Sequence, residues 1–193
     1  MLDPQRRKSL IFTQAKLGVL LSLITVSNLF AEKKTNDLVV KEANVKFLSE
    51  APQETIQGMV SKVEGFANLE TKKILIQVDL RALKVPNRMM NNHMHENYLE
   101  TEIHSITSFT GTITKWDLKS KQVVIEGEIT LHGVTKRNIK IQGNIEEREK
   151  DYSIRADFEI LLSDFNIEIP KLVILKLNEK IQIQTEIVWQ YQK

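Results

Sequence analysis

The eight residues ILIQVDLR at positions 74–81 decide how the chain is read. Successive side chains of an extended strand point to opposite faces. That places Ile74, Ile76, Val78 and Leu80 in one row and Leu75, Gln77, Asp79 and Arg81 in the other. The first row is apolar and the second mostly polar, as expected of a strand with one face on a core and the other in water.

The same period recurs along the chain. Val123, Ile125, Gly127, Ile129 and Leu131 alternate with Val124, Glu126, Glu128 and Thr130, and Ile139, Ile141 and Ile145 with Lys140, Gln142 and Asn144. Ile154, Ala156, Phe158 and Ile160 face away from Arg155, Asp157 and Glu159. Ile181, Ile183, Ile187 and Trp189 face away from Gln182, Gln184, Glu186 and Gln190. Residues 39–48, 55–63 and 105–116 are less regular but rich in β-branched and aromatic side chains, which suit a pleated, half-buried surface. Eight strands are therefore expected. Turn signals separate several of them: residues 118–121, His132 with Gly133, and the charged run 146–151. One segment reads as helix, from Arg88 to about Leu99, opened by Pro86 and by Asn87, a residue suited to capping free backbone N–H groups.

Short connections between many strands favour antiparallel hairpins, since each parallel pair needs a long crossover. Such strands can close into one barrel or stack as two sheets. Closure removes exposed edges, but periodicity alone leaves both open. A barrel of about eight strands has an interior just wide enough to be filled by side chains or to hold one slim ligand.

Before the strands, Arg6, Arg7, Lys8 and Lys16 precede the apolar run LGVLLSLITVSNLF at 17–30, followed by Ala31 and the charged Glu32, Lys33 and Lys34. This reads as a secretory signal peptide over residues 1–31, with 32–193 as one barrel domain. The run has 14 residues, whereas a bilayer span takes about 20. Leu29 is large for the third residue before a cut at Ala31, which displaces the expected cleavage by a few residues. Taking four basic residues and Asp3 from a net charge of +2 leaves −1, so a nucleic-acid partner has no electrostatic motive. With no cysteine there is neither lipobox nor disulfide. A domain of about 160 residues can bury roughly two-thirds of its unfolded surface and stand on its core alone.

Motifs for catalysis are missing: there is no Gly-x-Ser-x-Gly elbow and no glycine-rich phosphate loop. Glu126 with Glu128, and Glu146 with Glu147, read as solvated charge on a polar strand face or a turn. The histidines His93, His95, His104 and His132 raise the question of zinc or copper. His93 and His95 are two apart on the expected helix and point to different faces, whereas helical metal pairs favour three or four. His132 reads as a turn residue beside Gly133, and no metal site is expected. Trp116 and Trp189 suit a ligand mouth, a membrane-facing rim or the cap of a barrel end.

The segment GEITLHGVTK at 127–136 resembles the most recognisable stretch of the YceI-like family. Residues 88–109, RMMNNHMHENYLETEIHSITSF, resemble that family's helix and the strand start after it, with His104 and Ser105 where Tyr-Pro is common. LLSDFNIEIPKL at 161–172 is similar to its Asp-Phe-Gly-Ile segment, with Asn166 in place of the glycine, a residue that tolerates positive φ. EAPQETIQGMVSKVEG at 50–65 resembles its opening hairpin. The resemblance implies a lipocalin-like antiparallel barrel with a helix packed beside it. It also implies a periplasmic or secreted bacterial protein without established enzymatic activity, and in some members a bound polyisoprenoid or other long-chain amphiphile.

Such a ligand needs a dry tube lined by apolar side chains, with a polar group at the mouth. The inward rows nominate Ile76, Val78, Phe109, Ile125, Ile129, Ile141, Phe158 and Ile183 as lining, with Met90 and Met94 closing one end. Arg88 and Asn92, at the helix start, are the expected head-group contacts. The competing reading is that the same apolar residues fill a solid core. No catalytic residue and no cofactor beyond the lipid itself are expected. The expected partners are an apolar lipid and, transiently, a membrane, in a monomer or homodimer.

Overall fold

The computed structural model describes residues 36–51, 54–169 and 177–192; the expected signal peptide lies outside them. Nine strands follow in order: β1 (Asp37–Ala51), β2 (Glu54–Val60), β3 (Val63–Asn68), β4 (Lys73–Asp79), β5 (Ile106–Asp117), β6 (Gln122–Leu131), β7 (Val134–Arg148), β8 (Asp151–Leu161) and β9 (Lys180–Tyr191). Every neighbouring pair is antiparallel.

Closure is decided by β1. One edge of it runs along β9, from Leu38↔Tyr191 to Leu48↔Gln182. The other edge takes β3 at its start, Asp37↔Asn68, and β2 at its end, Val45↔Val60. β2 and β3 are thus two segments of one strand bent at Ser61 and Lys62, and the structure is a closed eight-stranded antiparallel barrel. The sequence reading ended this strand at Val63; the chain instead turns there and pairs again through Asn68.

The period-two rows fall where the alternation puts them. Ile74, Ile113, Val123, Ile125, Ile129, Ile145, Ile154, Ile181 and Ile187 are buried, while Leu75 and Leu161 lie outside. A bulge between Ile113 and Lys115 shifts the phase of β5. It brings Trp116 over Tyr152, their ring centroids 5.3 Å apart. The His132–Gly133 turn joining β6 to β7 has φ of 52° and 74°, the doubly left-handed geometry of a two-residue hairpin. The charged turn is tighter than the run 146–151, because β7 continues to Arg148 and only Glu149 and Lys150 lie between the strands. β7 also starts at Val134, five residues before the reading from alternation, since residues 134–138 carry no alternating apolar row.

Helix α1 spans Arg88–His93 and continues into a single π-helical turn, Met94–Tyr98. Asn87 caps it: its side-chain oxygen accepts from the backbone N–H of Met89 at 2.9 Å and of Met90 at 3.2 Å. After β8 a 3₁₀ turn, Leu162–Phe165, ends at Asn166 with φ 56° and ψ 29°, the left-handed conformation expected of an asparagine in a glycine's place.

Candidate functional site

The inward rows enclose an apolar cavity of about 250 Å³. Ile76, Val78, Phe109, Ile125, Ile129, Ile141, Phe158 and Ile183 all line it, as do Met90 and Met94. Strand register sets them side by side. Ile76 lies opposite Phe109 and Phe109 opposite Ile129; Phe158 lies opposite Ile183 and Ile183 opposite Phe47. Small inward residues leave the room. Ala156 faces Gly143 across the β7–β8 pair. At the β5–β6 contact a Cβ on Gly127 would lie 2.6 Å from the Cα of Gly111, so the close crossing requires glycine.

The two ends differ. Away from the helix, an aromatic plug closes the barrel: Trp189 is 1% exposed, Trp116 meets Tyr152 edge-on, and Tyr152 meets Tyr191 with hydroxyls 3.0 Å apart. Burial, and then the hydrogen bond to Tyr191, push the Tyr152 phenol well above its ordinary value. At the helix end Leu83, Val85, Met94, Ile56 and Val60 form a second apolar cluster. The strap carrying Leu83 and Val85 is held by Met59 and Lys84, which exchange backbone hydrogen bonds of 2.9 Å, and by Asn91, whose side-chain oxygen accepts from Val85 N–H at 2.9 Å.

Polar atoms on the wall are few. Thr107 donates to the Thr130 carbonyl at 2.7 Å and Thr185 to that of Ala156 at 3.2 Å, so both hydroxyls are turned to backbone. Tyr98 is 7% exposed, and its hydroxyl has no hydrogen-bond partner among the described residues; burial raises its pKa. His93 also reaches the lining and accepts at Nδ1 from Asn97 at 2.9 Å. Among the described lining residues there is no Asp, Glu, Lys or Arg.

Arg88 and Asn92 are exposed and stand outside the lining, in a shallow depression with Met89, His93 and Glu96. Residues four apart share a helical face, and residues two apart lie on roughly opposite ones. The turn that sends Met90 and Met94 inward therefore sends Arg88 and Asn92 outward. Tyr98 escaped the sequence reading although it follows Met90 and Met94 at intervals of four. Phe47 also lines the cavity without having been nominated, and Trp189, expected at a mouth, a rim or a barrel-end cap, both lines the cavity and belongs to the aromatic plug.

The carboxylates are exterior ion-pair partners. Glu126 meets Lys140 at 3.1 Å and Glu128 meets Arg137 at 3.4 Å. Glu146 is held below its usual range by Arg148 and then Lys121. Asp79, on the outward row of β4, is 6% exposed and clamped by Arg81 at 2.9 and 2.8 Å and Lys62 at 2.6 Å. The Arg81 hydrogen bonds, followed by that of Lys62, hold its carboxyl far below the usual range. His95 is engaged at both nitrogens, by Thr101 Oγ1 and the Leu83 carbonyl at 3.0 Å each. His104 and His132 meet ring to ring at 4.5 Å, beside Glu100.

A YceI-like domain model matches residues 37–189, nearly the whole described barrel. The chain belongs to the YceI-like family. Its fold is shared by a polyisoprenoid binding domain from Saccharophagus degradans implicated in plant cell wall breakdown, with a TM-score of 0.68, 14% identity, and coverage of 82% of this chain and 100% of that one. BcnA of Burkholderia cenocepacia gives a TM-score of 0.65 at 12% identity, covering 76% and 95%. A Campylobacter jejuni YceI protein gives 0.54 at 15% identity, covering 98% and 100%. None of the curated proteins compared with the chain matches it. In this YceI-like chain no helix among the described residues is long and apolar enough to cross a membrane.

Proposed function

We propose that this YceI-like protein is a non-enzymatic carrier or sequestering protein for an elongated apolar lipid, a polyisoprenoid or similar long-chain amphiphile, held inside the barrel. The observation that carries the reading is the cavity of about 250 Å³ with an almost wholly apolar wall. Apolar cavities of about 150 Å³ already stay dry and take up benzene-sized guests. Burying each methylene is worth about 0.8 kcal/mol, so a dozen contribute on the order of 10 kcal/mol before ordering costs. The name of the Saccharophagus degradans neighbour, a polyisoprenoid binding domain, points the same way. A lipid- or quinone-modifying enzyme would need acid–base groups at the ligand; the described lining offers only His93, whose Nδ1 already accepts from Asn97, and the Tyr98 hydroxyl, with no carboxylate beside either.

The basic and then apolar N-terminal sequence supports export, to the periplasm or outside the cell. Loading from a bilayer entails transient membrane contact, for which Met89 in the first turn of α1 and Ile103 on the turn after the helical segment, 59% and 74% exposed, are apolar candidates. Native mass spectrometry of protein purified from a bacterial host tests the proposal. A co-purified long-chain species released on unfolding is expected. Consistently ligand-free protein that also fails to take up added polyprenol would refute it.

A further inference from the structure

We propose that Glu100, His104 and His132 form a binding site for a single divalent transition-metal ion, zinc above all, at the helix end of the barrel. The inference is independent of the lipid reading. Two pieces of chain far apart in sequence meet there. Glu100 and His104 sit on the turn after the helix, where the His104 N–H donates to the Glu100 carbonyl at 2.8 Å and so closes the turn that brings the two residues together. His132 comes from the β6–β7 turn. One donor atom from each residue lies within 4.8 Å of the others.

Hydrogen-bond accounting points to a cation. His132 Nδ1 lies 3.3 Å from the Phe165 carbonyl and Nε2 lies 2.7 Å from a carboxylate oxygen of Glu100. Both neighbours are acceptors, and a neutral imidazole has one N–H. If Nδ1 donates to the Phe165 carbonyl, the Nε2 side facing the carboxylate needs a positive charge, which either a second proton, as the 2.7 Å contact allows, or a bound cation supplies. A metal ion meets that need. The Nδ1–H···O=C bond is the outer-shell contact that orients metal-bound imidazoles. A proton on Nε2 would satisfy His132 and Glu100 but leaves His104 unexplained. Its ring nitrogens have no hydrogen-bond partner among the described residues, yet it is packed against His132. Gly133 makes that packing feasible, since a Cβ there would stand 3.0 Å from Cε1 of the His104 ring.

Two imidazoles and a carboxylate form a donor set for Zn²⁺, with water as fourth ligand. Bonds of about 2.0–2.2 Å would require the His132–Glu100 pair to part from its 2.7 Å contact and any donors near the 4.8 Å limit to draw together. The ion would tie the turn after the helix to the β6–β7 hairpin and, through Phe165, to the 3₁₀ turn after β8.

Isothermal calorimetry of the EDTA-treated, dialysed full chain with zinc sulfate tests this, alongside thermal unfolding with and without zinc. One equivalent should bind at micromolar or tighter affinity and raise the Tm. Glu100→Gln and His104→Phe should each weaken binding at least tenfold and abolish the Tm rise. His104→Phe keeps an aromatic ring against His132, and its Tm in EDTA should stay near wild type, which separates a lost ligand from a lost fold. His93→Asn, outside the cluster, should bind like wild type. Absence of saturable binding would overturn the proposal, as would a zinc response unchanged in Glu100→Gln and His104→Phe. Co²⁺ gives a second readout: tetrahedral d–d absorption is expected in wild type, and its retention in His104→Phe would likewise refute the site.

Discussion

Substituting Ala156 with leucine separates a vacant interior from a filled one. Ala156 is buried on the cavity wall between Ile154 and Phe158. Its partner on β7 is Gly143, which presents no side chain. Leucine adds three carbons. Burying them in empty apolar space is worth about 0.8 kcal/mol each, roughly 2.4 kcal/mol, less about 0.5–1 kcal/mol of rotamer entropy. The ligand-free variant should thus gain about 1.5–2 kcal/mol, or about 3–8 °C in Tm for a domain of this size. The same three carbons displace ligand. Losing about 2.4 kcal/mol of lipid burial weakens binding roughly fifty-fold, at about tenfold per 1.4 kcal/mol. Stability and affinity therefore move in opposite directions. The assays are thermal unfolding of delipidated protein and displacement of a fluorescent long-chain probe. A solid core would respond the other way, with overpacking costing about 1–3 kcal/mol. A lower Tm together with unchanged probe binding would refute the reasoning.

Asp79→Asn should lower the Tm at neutral pH. The folded carboxyl titrates well below an ordinary aspartate because of Arg81 and Lys62, so its contribution is present above about pH 4, the usual unfolded value, and fades as pH falls further. The gap between wild type and variant should accordingly close in acid; a pH-independent gap in thermal scans would contradict this. Asn166→Val should cost about 1–2 kcal/mol in urea unfolding, because a β-branched residue is forced to a φ of 56°. Asn166→Gly, free at that angle, should stay close to wild type.

Strands and inward rows were legible in the sequence because pleating imposes a period of two on any sheet with one wet face. Ile76, Phe109 and Phe158 could be assigned inward from their immediate neighbours alone. The helix start at Asn87 and the left-handed Asn166 were equally local, since capping and positive φ depend on a residue and its nearest backbone. Arg88 and Asn92 could also have been placed outward by helical spacing, once Met90 and Met94 were put inside. The resemblance to the YceI-like family rested on local segments of the same kind.

Only the tertiary structure decided the rest. Alternation is the same in a barrel and a sandwich; the pairing of β1 with β9 made the sheet close. It also left the interior partly empty, because Gly143 and Ala156 came to face each other across neighbouring strands. Nothing in the sequence joined Glu100 to His104 and His132; closure placed a turn after the helix against a hairpin 28 residues beyond His104. A sequence specifies which face of each segment avoids water through short-range geometry, whereas the space enclosed and the side chains that meet depend on register and closure between distant segments.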